Sequence, residues 1–325
     1  MKTQAINIHS HGGPEVLLAE EVNIPAPVQD EIRVRVHAVG VNFIDVYHRT
    51  GLYPVQLPAT LGLEGAGVVE AVGDEVQGLA VGDRVGYCTG ALGAYAGCRL
   101  LKSNKAVRLP DDVSFEQAAA VLLKGMTAEY LIRRVRPTHV GDVVLFHAIA
   151  GGVGLIACQW LKQLGAVVIG TVGSEEKAEL ARAHGCDHVI FYGREDVAAA
   201  VRKLTDGAGV SVAYDSVGAT TFEGTLNALS QRGMFVSFGN ASGPVAPVAP
   251  ALLAQKGSLF FTRPTLMNYC GMPEELRASA DALFFALRTG VKINIGSTLP
   301  LSQAAKAHRA LESRQTIGST ILLPD

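Results

Sequence analysis

Apolar and polar positions along this chain follow two regimes that change near residue 125. From there to about residue 265, short apolar runs alternate with segments of helical period. Runs 143–146, 167–171, 188–191, 210–215, 233–240 and 258–263 read as strands, and segments such as 155–161 and 221–231 as helices. Strand alternating with helix predicts an α/β domain with a doubly wound, Rossmann-type parallel sheet. The first 125 residues instead show short stretches of strand alternation, such as 31–39, separated by turn signals at Gly12-Gly13-Pro14, Gly73-Asp74 and Gly82-Asp83. That pattern predicts a small β-rich barrel. Glycines within 65–73 mark a bend or a close backbone approach inside a strand. The apolar ending 318–323 reads as a strand returning to the first domain, so residues 1–125 and 266–325 are expected to form one discontinuous domain around 126–265.

The most informative motif lies where the first apolar run of the second regime ends. After 143–146 come His147-Ala148-Ile149-Ala150, then Gly151-Gly152-Val153-Gly154, then a helical run. Strand, glycine turn and helix is the context of a dinucleotide site, because residues without a Cβ let backbone N–H groups approach a pyrophosphate and the helix offers unpaired amides. The motif is imperfect, with Ile149 where the first Gly of G-x-G-x-x-G would stand. Close packing of a helix on a strand selects glycine too.

An Asp or Glu at the end of the second strand would bind the 2′-hydroxyl of NAD. Here the strand ends in Thr171-Val172-Gly173-Ser174, with Glu175 and Glu176 expected in the first turn of the next helix. Ser174, Lys177 and Tyr192 can form a clamp for a 2′-phosphate, with Gly173 beside them as a cofactor contact, which points to NADPH; as a bland alternative, Lys177 is a solvated helix lysine. Ser216, Phe238, Gly239, Asn240 and Arg263 fall at the carboxyl ends of later strands, where ligands of such sheets bind.

Composition adds exclusions. A length of 325 residues suits two domains, and 48% hydrophobic content with 36 glycines suits close α/β packing. The net charge of −2 provides no electrostatic case for nucleic acid or an acidic membrane, and no basic stripe with interleaved aromatics occurs. No apolar stretch has the length of a membrane span, and residues 1–10 lack a signal-peptide layout. Cys88, Cys98, Cys158, Cys186 and Cys270 read as reduced packing residues of a cytoplasmic protein.

Across its full length the chain resembles the quinone oxidoreductase branch of the medium-chain dehydrogenase/reductase superfamily, the group that includes zeta-crystallin. The resemblance is carried by His11-Gly12-Gly13-Pro14-Glu15-Val16-Leu17, Gly40-Val41-Asn42-Phe43-Ile44-Asp45, Gly51-Leu52-Tyr53-Pro54, Leu61-Gly62-Leu63-Glu64-Gly65-Ala66-Gly67, Ala150 to Gly154, Phe238-Gly239-Asn240 and Thr262-Arg263-Pro264. It implies a GroES-like catalytic domain beside the Rossmann domain, and hydride transfer from NADPH to a quinone in an interdomain cleft. Zinc-dependent relatives hold a metal with Cys, His and an acid or second Cys. Here Asn42 and Leu63 stand in place of the first two, so no metal is expected.

The resemblance places Asn42, Tyr47 and Tyr53 near the nicotinamide as hydrogen-bond donors to the acceptor, although each tyrosine also suits plain packing. Asp45 either caps a helix or contacts the cofactor. Thr127 matches a nicotinamide-side contact, Gly151, Gly152 and Val153 the pyrophosphate turn, and Lys124 can be a surface residue. Arg263 either pairs with phosphate or shapes the cleft. Glu64 reads as structural, and His9, His11 and His147 lack metal-ligand spacing. A homodimer is expected from the family, with 235–261 able to supply an edge strand. Two rivals stand beside quinone reduction: reduction of enones or 2-alkenals on the same scaffold, and a crystallin or RNA-binding role with residual NADPH binding.

Overall fold

The computed structural model describes all 325 residues and divides into two compact units, residues 1–126 with 269–285 and 293–325, and residues 127–268 with 286–292. In chain order the first segment carries β1 (Lys2–Ile8), β2 (Leu18–Asn23), β3 (Glu31–Val41), α1 (Phe43–Thr50), β4 (Ala59–Thr60), β5 (Glu64–Val72), β6 (Arg84–Tyr87), β7 (Cys98–Lys102), β8 (Val107–Arg108) and α2 (Phe115–Glu129). The middle segment carries β9 (Val143–Phe146), α3 (Gly152–Gln163), β10 (Val167–Val172), α4 (Glu175–Ala183), β11 (His188–Phe191), α5 (Val197–Leu204), β12 (Val210–Asp215), α6 (Phe222–Ala228), β13 (Leu229–Ser237), α7 (Pro250–Gln255) and β14 (Phe260–Thr262). After α8 (Leu266–Tyr269) and α9 (Pro273–Arg288) come β15 (Ile295–Pro300), α10 (Ala304–Glu312) and β16 (Ser319–Leu323).

The first unit holds a sheet β2-β1-β4 and a larger one, β15-β16-β3-β5-β6-β8, with β7 also paired to β3. The C-terminal β16 pairs antiparallel with β3 through Thr320 and Val41, as its apolar sequence suggests. The glycines of β5 meet their expectation, because a Cβ on Gly67 would collide with the Arg35 carbonyl. Alternating strand positions supply the core, including Ile6, Ile8, Ile32, Val34, Val36, Val69 and Val85. The β3–β5 register sets Gly40 opposite Glu64. A Cβ on Gly40 would strike the Glu64 carboxylate and the Ala119 carbonyl, so only glycine lets that acid lie under the end of β3.

In the second unit, parallel strands run in the order β11-β10-β9-β12-β13-β14. The order reverses between β9 and β12, the switch point where such sheets take ligands. The core packs Leu145, Ile169, Ile190, Ala213 and Phe235 against helix residues such as Val201 and Leu226.

Several boundaries differ from the sequence expectation. The helix expected to reach Gln231 stops at Ala228, because Leu229 turns extended, is buried and pairs with Val210. Strand β13 therefore starts early and ends at Ser237 rather than 240. The strand expected from 258 starts at Phe260, since Ser258 has φ +57°, a left-handed conformation that cannot continue a ladder. Of the 235–261 stretch, only β14 lies at the sheet edge, and β13 is flanked on both sides. No helix is long and apolar enough to cross a membrane.

Candidate active site

In the second unit the site is built around the turn between β9 and α3. Gly151 caps α3 with extended backbone and no side-chain cap, and Leu155 N donates to Gly151 O at 2.9 Å. The amides of Gly152, Val153 and Gly154 thus open toward an anion at the positive end of the helix. A Cβ on Gly154 would stand 2.5 Å from Ile149 O, so this glycine permits the close approach of helix and turn.

Ile149 itself is fully buried, and a Cβ on Gly170 of β10 would meet its Cγ2 at 2.5 Å. The absent side chain at Gly170 receives the isoleucine on the sheet side. The turn therefore keeps its glycines while departing from the motif.

The turn is pinned from below by His147, Thr171 and Thr225, a role the sequence did not show for any of them. Thr171 Oγ1 accepts the Ala148 N–H at 3.2 Å, and His147 bridges Thr171 and Thr225 at 3.2 and 2.9 Å. Thr225 gives its own hydrogen to Thr221 O, so His147 Nε2 donates and its Nδ1 accepts from Thr171. Burial lowers the pKa of this imidazole and keeps it neutral.

The end of β10 carries no acid. Ser174 caps α4 by accepting Lys177 N at 3.3 Å, and Glu175 and Glu176 lie in the first turn, as expected. Half-exposed Tyr192 lies beside Gly173, where a Cβ would come within 2.5 Å of its hydroxyl oxygen. Gly173, Ser174, Lys177 and Tyr192 are thereby gathered on one rim. Arg194, paired with Glu175 at 2.9 Å, brings a further cation there that the sequence reading missed.

Asp215, also missed, organises the loop after β12. Its Oδ1 accepts Val217 N at 2.6 Å and Gly218 N at 3.2 Å, and its Oδ2 accepts the Thr221 hydroxyl at 2.6 Å. Ser216 sits in that loop, and Gly239 packs on its backbone so closely that a Cβ would collide with Ser216 O. Phe238 lies over Phe146 at 5.7 Å between centroids, which makes it a packing residue of the rim. Asn240 follows in the same loop, while Arg263 leaves β14 with Nη1 donating to Pro264 O at 3.1 Å. Thr127 is buried within α2. Open amides, a glycine cradle and a β10 end without an acid fit a phosphorylated dinucleotide.

In the first unit, Asn42 is the N-cap of α1. Its backbone N–H donates to Asp45 Oδ2 at 2.9 Å, and its Nδ2 donates to Glu64 Oε2 at 2.9 Å and Gly40 O at 3.4 Å. The Glu64 oxygen also accepts from Lys124, which fixes the amide with Nδ2 inward and leaves Oδ1, turned toward the Asp45 N–H by the capping box, as the acceptor atom of Asn42. The expected donor role of the Asn42 amide is therefore corrected to an acceptor role. Asp45 is fully buried on Asn42 and Tyr95, so its capping function is the one realised. Tyr47 and Tyr53 meet edge-on with centroids 5.1 Å apart, joined by Tyr53 N to Tyr47 O at 3.0 Å.

Lys124 is not a surface residue. Its side chain is 7% exposed, and Nζ lies 3.0 Å from Oε2 of Glu64, which is wholly buried. Glu64 Oε1 accepts Leu123 N at 2.7 Å. Zinc does not fit this donor set: Asn42 and Leu63 supply no soft ligand, and Glu64 already holds an ammonium and two amides. No group of three or more His, Cys, Asp or Glu able to hold a metal occurs anywhere in the chain.

Residues 28–137 match the alcohol dehydrogenase GroES-like domain and residues 152–283 the zinc-binding dehydrogenase domain. A quinone oxidoreductase of Pseudomonas aeruginosa is 53% identical over 98% of this chain and 99% of that protein. The chain belongs to the quinone oxidoreductase family of medium-chain dehydrogenases/reductases. Like other members it is an oxidoreductase, with the Rossmann-like and GroES-like β-rich parts that the sequence implied. A solved Escherichia coli quinone oxidoreductase complexed with NADPH superposes with a TM-score of 0.97 at 48% identity, covering 99% of this chain and 100% of that one. A 2-haloacrylate reductase of Burkholderia is 44% identical over 98% of both chains.

Proposed function

We propose that this protein is an NADPH-dependent quinone reductase that delivers a hydride to a quinone without a metal. The observation that carries the reading is the end of β10, which brings no acid to the open glycine turn and gathers Ser174, Lys177 and Tyr192 instead, as suits a dinucleotide bearing a 2′-phosphate. The NADPH complex of the Escherichia coli relative and the names of the full-length relatives support it.

When bound, NADPH supplies the hydride. The open amides of α3 hold the pyrophosphate. Ser174, Lys177 and Tyr192 hold the 2′-phosphate, and Ser216, Asn240 and Arg263 complete the rim. Tyr47 and Tyr53 donate hydrogen bonds to the acceptor oxygen as it gains charge, a stabilisation that matters more where no Lewis acid assists. Asn42 offers Oδ1 to a ligand N–H or O–H. The hydride supplies both electrons and one hydrogen, and the single proton that completes the hydroquinone comes from water.

The test is NADPH oxidation followed by absorbance with an ortho-quinone, a para-quinone and an enone, each in EDTA, with NADH in parallel. Fast quinone-dependent turnover with NADPH supports the reading. No turnover despite tight NADPH binding overturns it. A second reading, reduction of an activated alkene, is favoured by the identity to the 2-haloacrylate reductase. Turnover with the enone alone would select it.

A further inference from the structure

Behind Asn42 runs a chain of buried polar groups that the proposed reaction does not use. Arg49 is 1% exposed, and it is held by Glu312 at 2.6 and 3.0 Å and by Gly12 O at 3.1 Å. Its Nη1 lies 3.1 Å from His308 Nδ1. A guanidinium can only donate, so His308 Nδ1 accepts and the neutral ring carries its proton on Nε2. That nitrogen is 3.0 Å from the Tyr95 hydroxyl, whose single hydrogen goes to Asp45 Oδ2 at 3.0 Å. The same Oδ2 accepts the Asn42 backbone N–H at 2.9 Å, while the buried Oδ1 has no partner. Every hydrogen bond in the series points toward Asp45.

We infer that Tyr95 and His308 are positioning residues for Asn42, holding the Asp45 carboxylate as the acceptor that fixes the start of α1 and the Asn42 side chain. The inference rests on the reading that Asn42 faces the reacting ligand. The chain is not a proton conduit, because Arg49 blocks the outer nitrogen of His308 and cannot give up its proton.

Its direction predicts a pH signature. Facing Asp45 are Tyr95, His308 of α10, Arg49 of its own helix, Lys124 of α2 and Glu64 of β5. Burial next to Arg49 pushes His308 down to about 3, and burial with Asp45 alongside pushes Tyr95 well above its usual range. Asp45 itself is raised by burial to about 7, near neutrality. Hydrogen bonds to the ionised form are roughly twice as strong as to the neutral acid. Protonation therefore slackens the cap.

The experiment is the pH profile of kcat with one quinone. The wild type is expected to lose turnover below an apparent pKa of about 7. Tyr95→Phe removes a bond that favours the ionised acid and should move that limb up by about one pH unit. Asp45→Asn, whose amide oxygen can still accept both bonds, should abolish the limb. His308→Leu should shift it as Tyr95→Phe does, and His308→Gln, able to accept from Arg49 and donate to Tyr95, should restore it. A limb unmoved in Tyr95→Phe, or retained in Asp45→Asn, overturns the inference. Asn42→Ala separates the readings: unchanged kcat overturns the Asn42 role and this inference together. Lowered kcat with an unmoved Tyr95→Phe limb overturns this inference alone.

Discussion

Lys124 Nζ and Glu64 Oε2 lie 3.0 Å apart in the interior of the first unit. Removing either charge leaves the other buried and uncompensated, whereas the intact pair has its lone pairs filled by Asn42 and Leu123. The pair orients the Asn42 amide, and it does so from a strand position that Gly40 leaves open.

Lys124→Met is accordingly expected to cost about 3–5 kcal/mol, since breaking a buried pair strands a charge. The double variant Glu64→Gln/Lys124→Met should recover part of that loss. Calorimetric unfolding of the single and the double variant beside wild type checks it. A single variant as stable as wild type would show that Glu64 finds another partner.

Gly170→Ala should weaken NADPH binding, because the added methyl meets Ile149 Cγ2 at 2.5 Å and Cys186 Sγ at 2.8 Å under the glycine turn. Ile149→Ala in the same chain should restore affinity by vacating that space. Fluorescence titration with NADPH across the cycle measures the coupling. Additive effects would show that the turn does not depend on this contact.

Lys177→Ala is expected to weaken NADPH binding about 10-fold to 100-fold, the worth of a charge-assisted hydrogen bond, and to leave NADH nearly unaffected. Equal losses for both cofactors would remove Lys177 from the 2′-phosphate clamp.

Asp45 also ties stability to pH. Burial raises its folded pKa to about 7, above the usual aspartate value of 3.8, so the folded state binds the extra proton. That contribution is fully present below pH 4 and is lost as pH rises toward 7, on the order of 4 kcal/mol across the window. Asp45→Asn lacks this dependence. Its stability relative to wild type should therefore improve from pH 4 to pH 7 in urea unfolding, and a constant difference would refute the assignment.

Prolonged dialysis against EDTA should leave turnover unchanged, because Asn42, Leu63 and an already paired Glu64 provide no zinc site. Stoichiometric zinc by metal analysis of the purified protein would refute this.

The sequence by itself determined the parallel sheet, the glycine turn and the family. Those signals are local: continuous apolar runs such as Val143–Phe146, a turn that tolerates only small residues, and motifs read residue by residue. It also placed Ser174, Lys177 and Tyr192 together, because strand ends of a doubly wound sheet share one rim. Tertiary structure alone decided which atoms remain available. Lys124 looks like any helix lysine until the β3–β5 register brings Glu64 beneath it. Asn42 looks like a donor until that same carboxylate and the Gly40 carbonyl take its side-chain amide. Likewise, Asp45, Tyr95 and His308 lie 50 and 213 residues apart in successive steps along the chain, so no periodicity links them. Hydrogen-bond direction depends on the partner at the far end. Here that partner is Arg49, which only the folded chain brings to His308.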